Sequence, residues 1–426
     1  MESSARGRTA SRRAIWILFI LLAIVSVWRA GSLAVEYWGA ERGRFYHDFY
    51  LQLNMAKRLQ AGESFYQPQD PSLFPSSMEI YKYPPTFVAL LLPFVGQPYK
   101  QTARIFLLAN FALLLGFLAL VIRGSKVAGW RAGLIALLFL NWQPFWETLS
   151  GLQLEVTLLF LTALVWLATY RGRDTWGGVA LGAAGALKVY PAGALVYFLA
   201  KRRWKVVVGT AVGGIAVFLG CALAIGFRHV ADFFLHAAPR MGGTSVFHEN
   251  VSVLGFAGRL ALLLTLGAEK ARPLFADIHT PLEAAAPASG LLIAMSLYAA
   301  VAILLLAATI RAVRRGSRMD QRTEDALMFC AVLTLLLMLM PTSRIDYQTI
   351  LALPLFVMIA WAPSPSADPI GWACIGLAGV LGGVVNGNVK PWVDLPVLTS
   401  VLRGLVPLLL WGTWLRMRRR GGTCAA

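Results

Sequence analysis

The sequence predicts an all-α, polytopic membrane protein of about twelve helices with both termini in the cytoplasm. Of the 426 residues, 58% are hydrophobic and only 14% are charged. Apolar runs of bilayer length recur from one end of the chain to the other, which is typical of spanning helices. Most basic residues fall between these runs, and this pattern gives the orientation.

Ten apolar runs are long enough to cross a bilayer as helices. They cover residues 14–35, 100–122, 130–147, 152–170, 206–226, 289–311, 324–341, 346–362, 369–386 and 394–415. Arginines precede the first run, and no cleavage pattern follows it in a suitable place. We therefore interpret the first run as a retained signal anchor.

The positive charges set the orientation of these runs. With the N-terminus inside, more than half of the 39 lysine and arginine residues lie on the cytoplasmic side, as the positive-inside rule requires. Few of the 21 acidic residues share that side, namely Glu2, Asp174, Asp320, Glu324, Asp325 and Asp368. Topology thus explains the net charge of +18, and no nucleic-acid partner is predicted.

Two apolar stretches are interrupted. Residues 84–96 follow Tyr83 and open with two prolines, while 176–200 lies between basic clusters and is broken at Lys188-Val189-Tyr190-Pro191. Basic clusters on both sides require an even number of passes, so we expect two shortened helices meeting near Lys188. Interrupted backbone at membrane depth is tolerated only inside protein or beside a wet cavity. These stretches therefore point to a site.

The outer face is predicted to carry long loops at 36–83 and 227–288 and short turns at 148–151, 342–345 and 387–393. In the first loop, apolar residues recur at helical spacing from Asp48 to Gln60, which predicts a helix along the membrane interface ending at Gly62.

Asp48 is the best-placed acid on this face. It begins the interfacial helix among aromatic residues that would hold it at headgroup level, where a carboxylate could act as a general base. The alternative is an N-cap or solvated loop acid, because aspartate favours that position.

Three cations have settings that suit an anionic ligand. Lys82 precedes a proline-initiated helix, although interfacial anchoring explains it equally well. Lys188 lies in an apolar segment, where an ammonium is costly unless it is paired, wet or snorkelling to an interface. Arg344 shares a turn with Asp346 and Tyr347, where its fork suits a phosphate or forms a structural ion pair.

Other motifs are weaker or missing. The polar run Phe247–Ser252 precedes a short apolar helix containing Arg259, but loops are polar in any case. The four cysteines form no C-x-x-C, so neither a disulfide framework nor a zinc site is indicated. Without nucleotide-binding motifs, a reaction outside the cytoplasm needs a lipid-carried donor. No cofactor is predicted, and a metal requirement is left open.

In their order, these pieces resemble the polyprenol-phosphate-sugar-dependent glycosyltransferases of glycosyltransferase family 87 (GT87), a branch of the GT-C membrane fold that includes mannosyltransferases. The resemblance covers most of the chain. The matching residues are Asp48 with Tyr50, Ala56, Leu59 and Tyr66; Tyr83-Pro84-Pro85 with Pro93; Lys188-x-Tyr190-Pro191 followed by Arg202-Arg203-Trp204; and Asn250-x-Ser252 with Arg259.

The resemblance implies an inverting transfer in which Asp48 is the general base. A departure from the family pattern makes Asp346 a second candidate acid. The leaving group would be a lipid phosphate. The cations expected to hold it are, in order, Lys188, Arg344, Lys82 and Arg259. The residues expected to bind substrate are Tyr83, Gln153, Glu155, Tyr190, His248, Asn250 and Tyr347.

The chain departs from the family pattern at two places. A common Gly-Gln-x-Asn is replaced by Leu152-Gln153-Leu154-Glu155, and Ser-Pro-x-Ser-Trp-x-His-His by the segment from Met340 to Tyr347. Asp346 and Tyr347 therefore stand where the family has two histidines. Mannose is one candidate sugar and is not assumed.

The expected function is sugar transfer from a polyprenyl-phosphate donor to an outer glycolipid or polysaccharide of the cell envelope, at the inner (plasma) membrane. A transporter or flippase of lipid-linked sugars is the alternative, since transporters also contain broken helices. Many transporters consist of two similar halves, and this sequence shows no evident internal repeat, which favours the enzyme. A diphosphate-linked donor, as for ligase-like or polymerase-like enzymes, and a non-catalytic scaffold are further alternatives.

Overall fold

A computed structural model describes residues 20, 23–32, 35, 47–63, 66, 83–240, 243–276, 280–317, 319–385 and 396–420. Across those residues the regular secondary structure is helical, apart from one isolated bridge between Ser245 and Pro281. The all-α prediction is therefore confirmed. Lys82, the side chain of Asp48 and the predicted turn at 387–393 lie outside the described residues.

The described residues from 47 onward form seventeen α-helices. In order they are α1 (His47–Gln60), α2 (Thr86–Leu91), α3 (Tyr99–Ser125), α4 (Gly129–Asn141), α5 (Gln143–Gly151), α6 (Glu155–Tyr170), α7 (Asp174–Leu187), α8 (Leu195–Ala200), α9 (Trp204–Ile225), α10 (Phe227–Asp232), α11 (Val253–Leu274), α12 (Leu282–Ala285), α13 (Ala288–Arg314), α14 (Gln321–Leu339), α15 (Ala352–Trp361), α16 (Pro369–Val380) and α17 (Pro396–Arg420). Short 3-10 segments at Leu92–Phe94, Tyr190–Ala194, Ala238–Arg240 and Asp346–Leu351 and π segments at Phe233–Ala237 and Leu381–Val385 join or extend them.

Helix length and burial divide the bundle into a lipid-facing part and a core. Among the described residues, α3, α9 and α13 are long and apolar enough to cross a bilayer on their own. Large apolar side chains on α13, including Leu292 and Leu304, are each 69% exposed, as expected where lipid chains cover the surface. Every residue of α15 is buried, so this helix lies in the core.

The helix α1 begins at His47, one residue before the predicted start, and ends at Gln60 as predicted. Phe49, Leu53 and Ala56 are buried on one face, and the helix stops at Gly62, whose positive φ of 78° allows a left-handed C-terminal turn. Met55 is buried as well, because α1 packs against both α2 and α5. Its predicted place at the membrane interface stays a prediction.

Several predicted runs are divided, so the helices outnumber the dozen expected. The run 130–147 is two helices, because the backbone at Trp142 is extended and Pro144 then opens α5. The predicted turn 148–151 instead closes α5. Likewise the run 346–362 begins as a 3-10 segment, and the second long outer loop contains the 22-residue helix α11.

The break at Lys188 is confirmed. The helix α7 ends at Leu187, Lys188 is extended, and the chain re-enters helix through the 3-10 segment before α8. Glycines fix α7 closely against α9: a Cβ at Gly178 or Gly182 would collide with the carbonyl oxygens of Val206 or Thr210. Small residues allow such close backbone approach, and here they hold the first and middle turns of α7 against α9.

Ion pairs divide the described structure into two ends. At one end, residues predicted to be cytoplasmic pair with each other, as in Arg203 with Asp174, Arg416 with Asp368 and Arg418 with Glu324. The remaining described pairs join outer-face residues to each other, apart from Lys188 and Glu155, which lie within predicted spans. This division agrees with the predicted topology. The side on which the termini lie stays a prediction.

Candidate functional site

The candidate site forms where breaks in the helices meet. The Thr86 hydroxyl donates to the Ala186 carbonyl over 2.7 Å and so joins the start of α2 to the end of α7. The hydroxyls of Thr148 and Thr349 lie 2.8 Å apart and join α5 to the 3-10 segment Asp346–Leu351. Segments that sequence analysis singled out separately are thereby brought beside Lys188.

Lys188 is buried and paired. Only 7% of the residue is exposed, and its Nζ donates to the carboxylate of Glu155, which is fully buried at the first position of α6. Each charge removes most of the cost of burying the other, whereas either one alone would be strongly destabilising. Glu155 is one of the residues predicted to bind substrate, but its contact with Lys188 was not predicted from the sequence.

Three tyrosine rings surround the Lys188 ammonium. Its Nζ lies 3.7 Å from the ring centre of Tyr347, 5.2 Å from that of Tyr83 and 6.0 Å from that of Tyr190. The rings of Tyr190 and Tyr347 stack with their centres 5.2 Å apart. Ring faces stabilise a cation by their negative potential. We refer to Lys188, Glu155, Tyr83, Tyr190 and Tyr347 as the lysine–tyrosine cluster.

The cluster contains polar atoms without a protein partner. Among the described residues, the Glu155 Oε2 atom and the Tyr190 hydroxyl are buried and have no hydrogen-bond partner. Leaving such a group unsatisfied costs about 1–3 kcal/mol, so buried polar groups are normally paired. A carboxylate oxygen accepts and a phenol donates, and both are suited to the hydroxyl groups of a sugar.

Asp346 and Arg344 adjoin this cluster. Asp346 is buried at the start of its 3-10 segment, close enough to Glu155 and Lys188 for their charges to interact. The Nε atom of Arg344 lies 3.3 Å from Oδ1 of Asp346, and a second guanidinium nitrogen lies 3.8 Å from the carboxylate of Glu249. Arg344 is half-buried between these two acids.

Asn250 ties the second outer loop to the turn before Arg344. Its side-chain oxygen accepts from the Ser343 amide over 2.9 Å, and its side-chain nitrogen donates to the Pro341 carbonyl over 3.1 Å. The backbone adds a bond of 2.7 Å from the Val251 amide to the Ser343 carbonyl. Asn250 therefore positions the turn, a role that differs from the substrate contact predicted for it.

Arg259 is fully buried in α11, and its guanidinium binds the backbone of the same loop. Its terminal nitrogens donate to the carbonyls of Phe247 and Asn250, each over 2.8 Å. Burial lowers the pKa of Arg259 to about 9, so it is still protonated at neutral pH. This geometry favours a structural role over the predicted phosphate contact.

Three other predicted residues, Gln153, His248 and Asp48, lie in turns or at a helix end. Gln153 is half-buried in the turn before α6. The ring nitrogen Nδ1 of His248 lies 3.0 Å from the Phe275 carbonyl, which holds the ring against the protein. Asp48 lies in the first turn of α1, and the ring of the following residue, Phe49, packs 6.0 Å from that of Tyr99.

Two charged residues near the site were not predicted. Glu249, which contacts Arg344, lies between the predicted residues His248 and Asn250. Arg403 is 8% exposed on α17, and its charge interacts with Glu249 and Glu147. Arg403 could have been predicted, because it lies inside an apolar run and ionisable residues in membrane spans mark functional positions.

Fold and site together define a helical membrane protein with a buried, charged and tyrosine-lined site. The sequence profile of glycosyltransferase family 87 matches residues 81–341, which is more than half of the chain. The chain therefore belongs to glycosyltransferase family 87. The match includes Tyr83, Glu155 and Lys188, and it ends before Arg344 and Asp346.

One solved structure is similar to the chain over most of its length. It is the crystal structure of ArnT from Cupriavidus metallidurans bound to undecaprenyl phosphate, with 16% sequence identity over 94% of this chain and 78% of that chain and a TM-score of 0.34. A TM-score this low does not establish a shared fold. No curated protein matches the chain.

Proposed function

We propose that this protein transfers a sugar from a polyprenyl-phosphate-linked donor to an acceptor outside the cytoplasm, such as a glycolipid or polysaccharide of the cell envelope. Membership of a glycosyltransferase family supports the reaction class. The observation that carries the proposal is the lysine–tyrosine cluster, where a buried cation lies beside aromatic rings and polar groups whose chemistry suits sugar hydroxyls. The family resemblance makes mannose one candidate sugar.

Lys188 and Arg344 are the cations proposed to stabilise the leaving phosphate. Negative charge develops on the phosphate oxygen as the bond to the anomeric carbon breaks, and fixed cations in a water-poor site stabilise it strongly. An ammonium has three N–H donors, and among the described residues Lys188 uses one, towards Glu155. Arg344 adds a planar fork suited to phosphate. Lys82 remains a third candidate.

Asp48 is the proposed general base. Its carboxylate would take the proton of the acceptor hydroxyl while that oxygen attacks the anomeric carbon, and the lipid phosphate would leave with the bonding electron pair. Inversion at carbon follows from this single displacement. Asp346 is less suited to the role because its carboxylate already pairs with Arg344 over 3.3 Å. We assign Asp346 to the orientation of Arg344.

The site is proposed to open to the outer side of the inner (plasma) membrane. Tyr83, Glu155 and Asp346 each lie beside a turn or loop that the charge pattern places outside. A donor carried by a polyprenyl lipid is consistent with that location, because nucleotide sugars are cytoplasmic substrates and the sequence has no motif for them.

The decisive experiment uses the purified full-length chain in liposomes that contain a radiolabelled polyprenyl-phosphate sugar and a cell-envelope lipid extract as acceptor. Mannose, glucose and arabinose donors are compared in parallel. The reaction predicts labelled product together with free polyprenyl phosphate. Movement of intact donor between leaflets, without cleavage of the sugar–phosphate bond, would support a flippase instead and refute the proposal.

The base assignment has its own test in the same liposomes. Asp48→Asn should reduce transfer by roughly 10² to 10⁴-fold because the general base is lost, while donor binding is retained. Glu63→Gln is the matched control, since Glu63 is an exposed acid of the same loop that pairs only with Arg58 among the described residues. A folded Asp48→Asn protein with wild-type activity would show that another group is the base.

A further inference from the structure

A cavity of about 330 Å³ lies at the end of the molecule opposite the lysine–tyrosine cluster, between the C-terminal turns of α13 and α17. It is lined by Ala308, Arg311, Ala312, Arg315, Gly316, Leu415, Arg418 and Arg419. The two helices are held together beside it by a bond of 3.0 Å from the Trp411 indole to the Thr309 hydroxyl. Four of the eight lining residues are arginines, and the other four are small or apolar.

The arginines leave an excess of positive charge in this cavity. Arg311, Arg315 and Arg419 are exposed, and among the described ion pairs the only one formed by a lining residue is that of Arg418 with Glu324. Arg418 is 4% exposed, and its Nε and one terminal nitrogen are buried with no hydrogen-bond partner among the described residues. The end of a helix such as α13 carries about −0.5 charge, which the arginines exceed.

The cavity continues into a surface that faces lipid. On the face of α13 that carries Arg311, Leu304 two turns earlier is 69% exposed, and Ile293 three turns before Leu304 is 38% exposed. Such a surface on a spanning helix is covered by lipid chains. The arginines thus lie at the level where the headgroup of a lipid packed along α13 would be, on the face that the charge pattern places in the cytoplasm.

We infer that this cavity binds the phosphate headgroup of an anionic phospholipid of the cytoplasmic leaflet, with the acyl chains along the exposed face of α13. Guanidinium forks match phosphate oxygens in geometry and charge, and basic pockets between membrane helices bind such headgroups. The exposed guanidinium groups of Arg311, Arg315 and Arg419 would donate to the phosphate oxygens, and the buried charge of Arg418 would add to the attraction. This site is independent of the proposed transfer reaction.

The test measures retained lipid on the full-length protein by native mass spectrometry in an uncharged detergent, with dioleoyl phosphatidylglycerol and dioleoyl phosphatidylcholine as probes. The test variant is the triple change Arg311→Gln, Arg315→Gln and Arg419→Gln. The matched control removes the same charge from exposed positions of the same face that do not line the cavity, by Arg123→Gln, Arg171→Gln and Lys205→Gln.

The wild type and the control should bind phosphatidylglycerol in preference to phosphatidylcholine, and the triple variant should bind it roughly a hundredfold more weakly. An equal loss in control and test variant would overturn the inference in favour of unspecific surface attraction. Displacement of the lipid by millimolar inorganic phosphate would identify a free-phosphate site. Stronger retention of undecaprenyl phosphate than of phosphatidylglycerol would assign the cavity to the carrier lipid. Either of these outcomes contradicts the phospholipid assignment.

Discussion

The two ends of the molecule use charge in different ways. At the predicted cytoplasmic end, Arg203 and Asp174 pair with 17% and 18% of their side chains exposed, and Asp325 lies within reach of the same arginine. At the other end, the side chains of Lys188 and Glu155 are 8% and 1% exposed and are enclosed by tyrosine rings. Partly exposed pairs contribute little stability each, and a buried pair often contributes none. Stability alone therefore gives little reason for the buried pair, whereas the proposed reaction requires its cation.

The largest effect that tests this comparison is expected from Lys188→Met. Loss of one phosphate-stabilising group should reduce transfer by roughly 10² to 10³-fold. The unpaired carboxylate of Glu155 should also reduce the free energy of unfolding by about 3–5 kcal/mol. Transfer rates in liposomes and denaturation midpoints of the purified protein measure the two effects.

The double variant Lys188→Met and Glu155→Gln separates chemistry from stability. It should recover most of the lost stability because neither charge of the pair remains. Its transfer rate should stay as low as that of Lys188→Met. Recovery of transfer together with stability would mean that the pair is only structural.

A smaller effect is expected from Arg344→Gln. It removes a second cation from the proposed phosphate position and should reduce the transfer rate about a hundredfold. Because Arg344 is half-buried, unfolding should change much less than in Lys188→Met. Arg344→Lys keeps the charge without the planar fork, so its transfer rate should lie between those of the wild type and Arg344→Gln. Unchanged kcat in Arg344→Gln, with KM alone raised, would restrict the residue to ground-state binding.

Arg259→Met should affect stability and leave the chemistry intact. The variant removes the described donor of the Asn250 carbonyl, at a cost of about 1–3 kcal/mol, whereas the Phe247 carbonyl still accepts from the Asn250 amide. Activity per folded molecule should remain within about threefold of the wild type. A loss as large as that of Lys188→Met in protein that is still folded would restore Arg259 to the phosphate site.

The smallest effect is expected at the cytoplasmic end, from Asp325→Asn. Asp325 lies 3.4 Å from the ammonium of Lys201 and 3.8 Å from the guanidinium of Arg203. Such partly exposed pairs are worth about 1 kcal/mol or less, and transfer should be unchanged. A strong loss of transfer would contradict the functional distinction between the two ends.

Local signals explain which features could be predicted. Prolines and an ammonium in an apolar run indicate a helix break at Lys188 whatever surrounds it, and the structure confirms that break. Helical spacing and a terminal glycine likewise predicted α1. The division at Trp142 was missed because a continuous apolar run does not show where the backbone bends.

Contacts between distant parts of the chain could not be predicted from local sequence signals. Glu155 is 33 positions from Lys188, and Tyr83 and Tyr347 are farther away still in the chain, whereas Tyr190 is a near neighbour in the sequence. Each was a predicted substrate residue on the strength of a family resemblance, without any indication that they share one ammonium. Arg259 shows the converse, because its sequence setting suited a phosphate while its actual acceptors are backbone carbonyls.

The sequence by itself determined the helical membrane class, the predicted orientation and the position of the helix breaks, because hydrophobic length, charge placement and proline act locally. Only the tertiary structure decided which charges neutralise each other. A buried ammonium must find its partner wherever packing brings a carboxylate. Packing brought Glu155 to Lys188 and left two nitrogens of Arg418 without a hydrogen-bond partner among the described residues. Those two outcomes define the proposed transfer site and the inferred lipid site.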